Sequence, residues 1–152
     1  MAAVGEATIL PPGEGERIEV SQSTIVLKST GANSAGSLFL IESTLEAGFP
    51  GPPLHTHTTL HDMFYVLEGT LTIDFGDRTI EAGPGTFVSV PPGVVHTFRN
   101  ASDSAVRVLN FSTPAGFEGY MRDLGMAYAD GRKPTSEEIG EIASQYDFTV
   151  AR

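Results

Sequence analysis

Between residues 23 and 112 the chain alternates apolar and polar positions in short runs. They read STIVLKS, GSLFLIESTLEAG, MFYVLEG, TLTIDFGD, RTIEAG, TFVSVPPG, VHTFRN and AVRVLNFS. The alternation is strictest where Leu71, Ile73 and Phe75 interleave with Thr70, Thr72 and Asp74. Side chains two apart share one face of a strand, so each run predicts a strand with one buried side. Many short, β-branched, turn-bounded strands at close spacing predict an all-β sandwich or barrel. Seventeen glycines and ten prolines supply the breaks between them. Phe75 to Arg78 holds a Gly-Asp pair that suits a tight hairpin. Gly83-Pro84-Gly85 and Pro91-Pro92-Gly93 read as turns, because proline cannot donate to a central ladder.

After Thr113-Pro114 the period changes. Phe117, Tyr120, Met121 and Leu124 stand at helical spacing, with Pro114 near a first-turn position. Gly116, Gly119 and Gly125 weaken that helix. A second helix starts at Thr135-Ser136-Glu137-Glu138, a capping-box pattern, and carries Ile139, Ile142, Ala143 and Tyr146 on one face. Both helices are expected to cover an edge or mouth of the β structure. No internal repeat or low-complexity linker interrupts the chain. The expectation is one domain over residues 1–152, with a barrel core at about 18–112 and a helical tail at about 113–152.

Composition narrows the function. Apolar residues at 40% and charged residues at 18% fit an ordinary soluble globule. No window reaches the roughly 18 apolar residues of a membrane helix, so no membrane partner is expected. The first twenty residues have no early basic residue and no long apolar run, which does not read as a secretory signal. A cytoplasmic protein is the expectation. The absence of cysteine excludes disulfides, thiolate metal sites and thiol catalysis. A formal charge of -10 repels a phosphate backbone, so nucleic acid is not an expected partner.

The remaining chemistry lies in four histidines. His55, His57 and His61 fall within HTHTTLHD, and His96 follows the Pro91-Pro92-Gly93 turn. His55 and His57 are two apart, so on a strand their imidazoles share a face. A same-face pair joined by a third imidazole from a neighbouring strand can hold one divalent ion and leave positions open. An H-x-H pair alone is a weak signal, since two surface or core histidines give the same pattern.

The wider pattern is specific. His55-x-His57-x4-Asp62-x6-Gly69 resembles the first motif of the cupin superfamily. Gly85-x5-Pro91-x-Gly93-x2-His96-x3-Asn100 resembles the second at every defined position. Fifteen residues separate Gly69 from Gly85, as in compact cupins. The resemblance implies a jelly-roll β-barrel. It also implies one divalent transition metal held by His55, His57, Asp62 and His96. Two features depart from the family. Aspartate stands where the family usually has glutamate, and the upstream glycines, Gly48 and Gly51, lie seven and four residues before His55 rather than six. The shorter Asp62 leaves three arrangements open: a shifted metal, a bridging water, or a three-histidine site with the carboxylate behind it. His61 is an alternative fourth ligand or an acid/base group; an exposed loop histidine is the bland reading.

Alternation assigns Phe39, Ile41, Phe64, Val66, Phe98 and Phe111 to an apolar pocket beside the ligands. Tyr65 and Glu68 read as structural. The AGFPGPPLH stretch reads as a rigid lead-in to His55, because Pro52 and Pro53 fix the backbone. The chain is similar to small single-domain cupins related to quercetin 2,3-dioxygenase. That resemblance implies an oxygenase acting on a small hydrophobic or aromatic, oxygen-bearing molecule, with Asp62 and His61 as candidate catalytic groups. A non-redox isomerase, cyclase or lyase is the first alternative, and a non-catalytic small-molecule-binding cupin the second. Iron, nickel, manganese, cobalt, copper and zinc all accept such a ligand set. Exposed strand edges favour a homodimer.

Overall fold

A computed structural model describes residues 5–151. Residues 1–4 and Arg152, with the start of the stretch read above for a signal, lie outside the described residues. The elements run in the order β1 (Glu16–Val20), β2 (Ser23–Ser29), α1 (Gly31–Ser34), β3 (Phe39–Leu45), β4 (His55–Thr56), β5 (His61–Glu68), β6 (Leu71–Asp74) and β7 (Thr79–Ala82). They continue with β8 (Phe87–Val90), β9 (Thr97–Arg99), β10 (Val106–Thr113), α2 (Glu118–Tyr128), α3 (Ser136–Ala143) and β11 (Thr149–Val150). No helix among the described residues is long and apolar enough to cross a membrane.

The fold is all-β with short helices. One sheet has the order β1-β2-β3-β10-β5-β8, a second β7-β6-β9, and β4 pairs with β11. Every pairing is antiparallel. The hydrogen-bonded ladders do not close into one ring; the sheets meet through a shared core. Phe64, Val66, Leu71, Ile73, Ala82, Val90, Val106 and Val108 form that core, drawn from both larger sheets. Burying each of the larger side chains stabilises the fold by roughly 1.5–3 kcal/mol relative to exposure. The Gly76-Asp77 hairpin joins β6 to β7 as expected, with the Phe75 N–H donating to the Arg78 carbonyl at 2.8 Å.

Three strands have no counterpart in the alternation pattern. β1 carries only two buried residues, Ile18 and Val20, between charged ones, and β4 and β11 are two residues each. The tail also departs from expectation. The Thr113-Pro114 peptide is cis, and α2 begins at Glu118, so Pro114 belongs to the preceding turn. Phe117, Met121 and Leu124 then pack on Ile18, Val20, Phe39 and Ile41, as their spacing predicts. Gly119 is a packing requirement rather than a weakness. A Cβ there would lie 2.7 Å from the Tyr146 ring. The α3 capping box is present, with the Thr135 hydroxyl accepting from the Glu138 N–H at 3.1 Å.

Gly51 explains one departure from the family spacing. Its φ is 73°, and a Cβ would stand 1.8 Å from the Phe98 carbonyl oxygen. The chain passes so close to β9 here that only glycine fits. Gly51→Ala is expected to destabilise the protein by about 3 kcal/mol, read as a fall of roughly 10 °C in Tm on thermal denaturation.

Candidate metal centre

The inner faces of β5 and β10 turn polar toward one end. Val66 and Phe64 give way to Asp62, and Val108 to Asn110 and Ser112. Antiparallel register sets Asn110 opposite Phe64 and Ser112 opposite Asp62. A carboxylate at that end needs partners, and three imidazoles meet it. His55 and His96 face each other across an isolated bridge, each N–H donating to the other's carbonyl at 3.0 Å. The Gly93 N–H donates to the His57 carbonyl at 2.8 Å. The backbone itself therefore joins the first motif to the second. One donor atom from each of His55, His57, Asp62 and His96 lies within 4.8 Å of the other three, and all four residues are buried.

The rings are oriented from behind. His55 Nδ1 donates to the Pro53 carbonyl at 2.8 Å and His96 Nδ1 to the Val94 carbonyl at 3.0 Å. His57 Nδ1 donates to the Asp147 carbonyl. A carbonyl only accepts, so each Nδ1 carries its hydrogen and each Nε2 is left for a ligand. His96 Nε2 lies 2.9 Å from Asp62 Oδ2, and His57 Nε2 lies 3.6 Å from the same oxygen. Asn110 Nδ2 donates to Asp62 Oδ1 at 2.8 Å, which fixes the carboxylate plane.

Electrostatics follow from burial and pairing. Burial makes charge costly on His55 and pushes its pKa down to about 4. Burial works the same way on His57, yet the hydrogen bond to Asp62 outweighs it and raises the value. Asp62 is desolvated too, but His57 and His96 overcome that and hold its carboxyl down at about 2. The carboxylate is ionised and His55 is neutral at physiological pH, as metal ligands must be.

This donor set fits a first-row divalent ion. Donors sharing such an ion at ~2.1 Å stand roughly 3–4.3 Å apart, so a spread of 4.8 Å closes with a small side-chain adjustment. Residues 41–112 match the family model described as Cupin domain.

Residues 41–112 of this chain are a cupin domain.

Proteins similar to this chain are diverse. The chain is similar to quercetin 2,3-dioxygenase of Bacillus subtilis strain 168, 29% identical over 79% of this chain. That match spans only 35% of the Bacillus protein. Among solved structures, KdgF from a Halomonas species aligns with a TM-score of 0.63 at 15% identity. The alignment covers 76% of this chain and 98% of that one. The polyketide cyclase RemF from Streptomyces resistomycificus aligns with a TM-score of 0.55 at 24% identity, covering 74% of this chain and 79% of that one. These likenesses show the fold.

His61 does not join the cluster. It sits one residue before Asp62 on β5, so its side chain takes the opposite face, with Met63 and Tyr65. Its Nε2 bonds the Ser89 hydroxyl at 2.5 Å on neighbouring β8. His61→Ala is therefore expected to leave metal affinity within about twofold of the parent, measured by calorimetric titration. Phe111 is likewise on the outer face, stacked on exposed Phe87 at 6.2 Å. Inward positions of β10 go to Asn110 and Ser112, so hydrophobicity alone misassigns that strand. Phe39, Ile41, Phe64 and Val66 are buried in the core and Phe98 packs beside Phe64, but the cavity near the cluster is lined instead by Thr59, Leu60, Asp147 and the Pro114–Phe117 segment.

Two residues that the motifs do not contain support the site. The Asp147 carboxylate accepts from the backbone N–H groups of Thr58, Thr59 and Leu60. Burial would raise its pKa, but those three amides outweigh burial and hold it below the ordinary value. Phe148 stacks on His55 with centroids 4.1 Å apart and planes 14° from parallel. No local signal in the tail marks either residue. Only the return of β11 to β4 brings them to the histidines.

Proposed function

We propose that this cupin is a metal-dependent oxygenase acting on a small hydrophobic or aromatic substrate that carries an oxygen function. The observation that carries the reading is the convergence of His55, His57, Asp62 and His96, with all three imidazoles locked by backbone carbonyls. The similarity to a quercetin 2,3-dioxygenase supports an oxygenase and an aromatic substrate. A divalent transition metal held by these four residues would supply an electrophilic centre for a substrate oxygen and for dioxygen.

The protein groups have distinct parts. Asn110 holds Asp62 Oδ1, which fixes Oδ2 beside His57 and His96, where the carboxylate would help hold the metal. Ser112, opposite Asp62 and 2% exposed, has a hydroxyl with no protein partner. A cavity of about 250 Å³ lies between Leu60, Asp147 and the Pro114–Phe117 segment. Phe117 lines that cavity, and its ring meets His57 edge-on at 5.6 Å. Apolar walls with few polar groups suit an aromatic guest.

The test is oxygen consumption by metal-loaded protein with a panel of flavonols and related enols. Uptake that vanishes in His96→Ala supports the reading. A metal-loaded protein that leaves the whole panel and the oxygen untouched removes it. Full turnover of a substrate under anaerobic conditions would instead assign non-redox proton transfer, as in an isomerase, cyclase or lyase.

A further inference from the structure

The segment from Tyr146 to Ala151 returns across the metal-ligand motif although almost ninety residues of chain separate them. Val150 pairs with His55 and Thr149 with Thr56, and the Ala151 N–H donates to the Leu54 carbonyl at 2.8 Å. Phe148 lies flat on His55 and on Tyr120. These contacts would suffice to dock a tail. Asp147 does something more specific, because it engages the loop between the ligands His57 and Asp62 from both its backbone and its side chain.

The loop Thr58-Thr59-Leu60 presents three consecutive N–H groups to a single carboxylate. Thr58 N–H donates to Oδ1 at 2.5 Å, and Thr59 and Leu60 N–H donate to Oδ2 at 2.7 and 2.9 Å. Successive N–H groups aimed at one point form a concave anion site, which the protein fills with its own side chain. That clamp also fixes the Asp147 backbone, whose carbonyl accepts from His57 Nδ1. The other two histidines take this bond from residues two positions before them, Pro53 and Val94. His57 alone takes it from a distant segment, so its orientation depends on the tail being seated.

We infer that Asp147 is a positioning residue for the metal centre. Its carboxylate holds the loop that carries His57 and Asp62, and its carbonyl selects the His57 tautomer and ring direction. Partners that orient ligating histidines in this way are commonly worth 10–100-fold in metal affinity. Binding linkage makes the effect reciprocal: a metal that needs the seated loop must in turn tighten the tail. The inference rests on metal binding at the four-residue site.

The experiment uses the full chain, stripped with a chelator and titrated with Co2+. Its visible spectrum reports ligand number and geometry. Asp147→Ala is expected to bind Co2+ about 10–100-fold more weakly and with an altered spectrum. Asp147→Asn keeps one acceptor oxygen and nearly the same shape, so it should fall between the two and serves if the alanine variant does not fold. Thr135→Ala loosens α3 by removing its cap but touches no ligand, so it should match the parent in affinity and spectrum. Hydrogen exchange adds a second reading: Zn2+ should slow the amides of Thr58, Thr59 and Leu60 in the parent more than in Asp147→Asn. A parent protein that binds no Co2+ removes the metal reading itself. A parent that binds, with both Asp147 variants equal to it in affinity and spectrum, removes only the role assigned to Asp147.

Discussion

His96→Ala lowers metal affinity by at least about a hundredfold, on the view that a four-ligand site worth roughly 10–16 kcal/mol loses about a quarter of that with one ligand. His96 is the ligand to remove because it is the most buried of the four, 1% exposed. Its backbone also bridges to His55, a contact that alanine keeps. The variant should therefore retain the strand register while losing the imidazole. A second effect comes from Asp62. Its folded pKa is depressed to about 2, so its pairing contributes stability that is present above the ordinary carboxylate value and lost as the pH falls toward 2. Without His96 the carboxylate loses its nearest imidazole, and that contribution shrinks at neutral pH. Equilibrium dialysis with elemental analysis measures the first effect. Thermal denaturation of the metal-free protein between pH 3 and pH 7 measures the second.

Asn100→Asp is expected to destabilise the fold by about 3–5 kcal/mol, the cost of an uncompensated buried charge. Asn100 closes the second motif and is 1% exposed. Its amide Nδ2 donates to the carbonyls of Leu45, Glu46 and Ser104 at 3.2, 3.1 and 2.7 Å. Its Oδ1 accepts from the Ser102 N–H at 3.0 Å and from its hydroxyl at 2.6 Å. An aspartate of the same shape turns an oxygen toward three carbonyl oxygens, where no donor remains. Burial and those carbonyls would raise the pKa of the substituted carboxyl. The loss is therefore full at neutral pH and shrinks as the pH falls through the raised value. A Tm lower by about 10 °C at pH 7, with a smaller deficit in mild acid, is the expected result. An equal deficit at both pH values would show that the cost is packing rather than charge. The motif asparagine is thus a fold residue, tying the end of β3 to the turn before β10.

The alternation of Leu71, Ile73 and Phe75, and of Phe64 and Val66, was legible because a strand with one buried face must repeat every second residue. The same rule failed at Phe111. There the inward positions carry Asn110 and Ser112, which stand beside the buried Asp62 carboxylate. It also passed over β4 and β11, whose two residues are too few to show a period. The cluster of His55, His57, Asp62 and His96 was visible in one dimension because the two motifs that resemble the cupin superfamily are local patterns. His61 shows the limit of that reading. Adjacent to Asp62 in the chain, it stands on the other side of the sheet, since neighbouring residues of a strand face opposite ways.

Alternation was enough to predict an all-β protein, and the resemblance of the two motifs to the cupin superfamily pointed to His55, His57, Asp62 and His96 as one group. Both are short-range properties, written within a few residues of each chemical group. What holds that group in shape is long-range. The His55–His96 bridge, the Asn110 bond to Asp62, and the Asp147 and Phe148 contacts join segments about 40 to 90 residues apart. No residue of the tail carries a pattern that names its partner. Such contacts come into being only when packing closes the chain on itself, because each needs the exact register of strands that the hydrophobic core has already set.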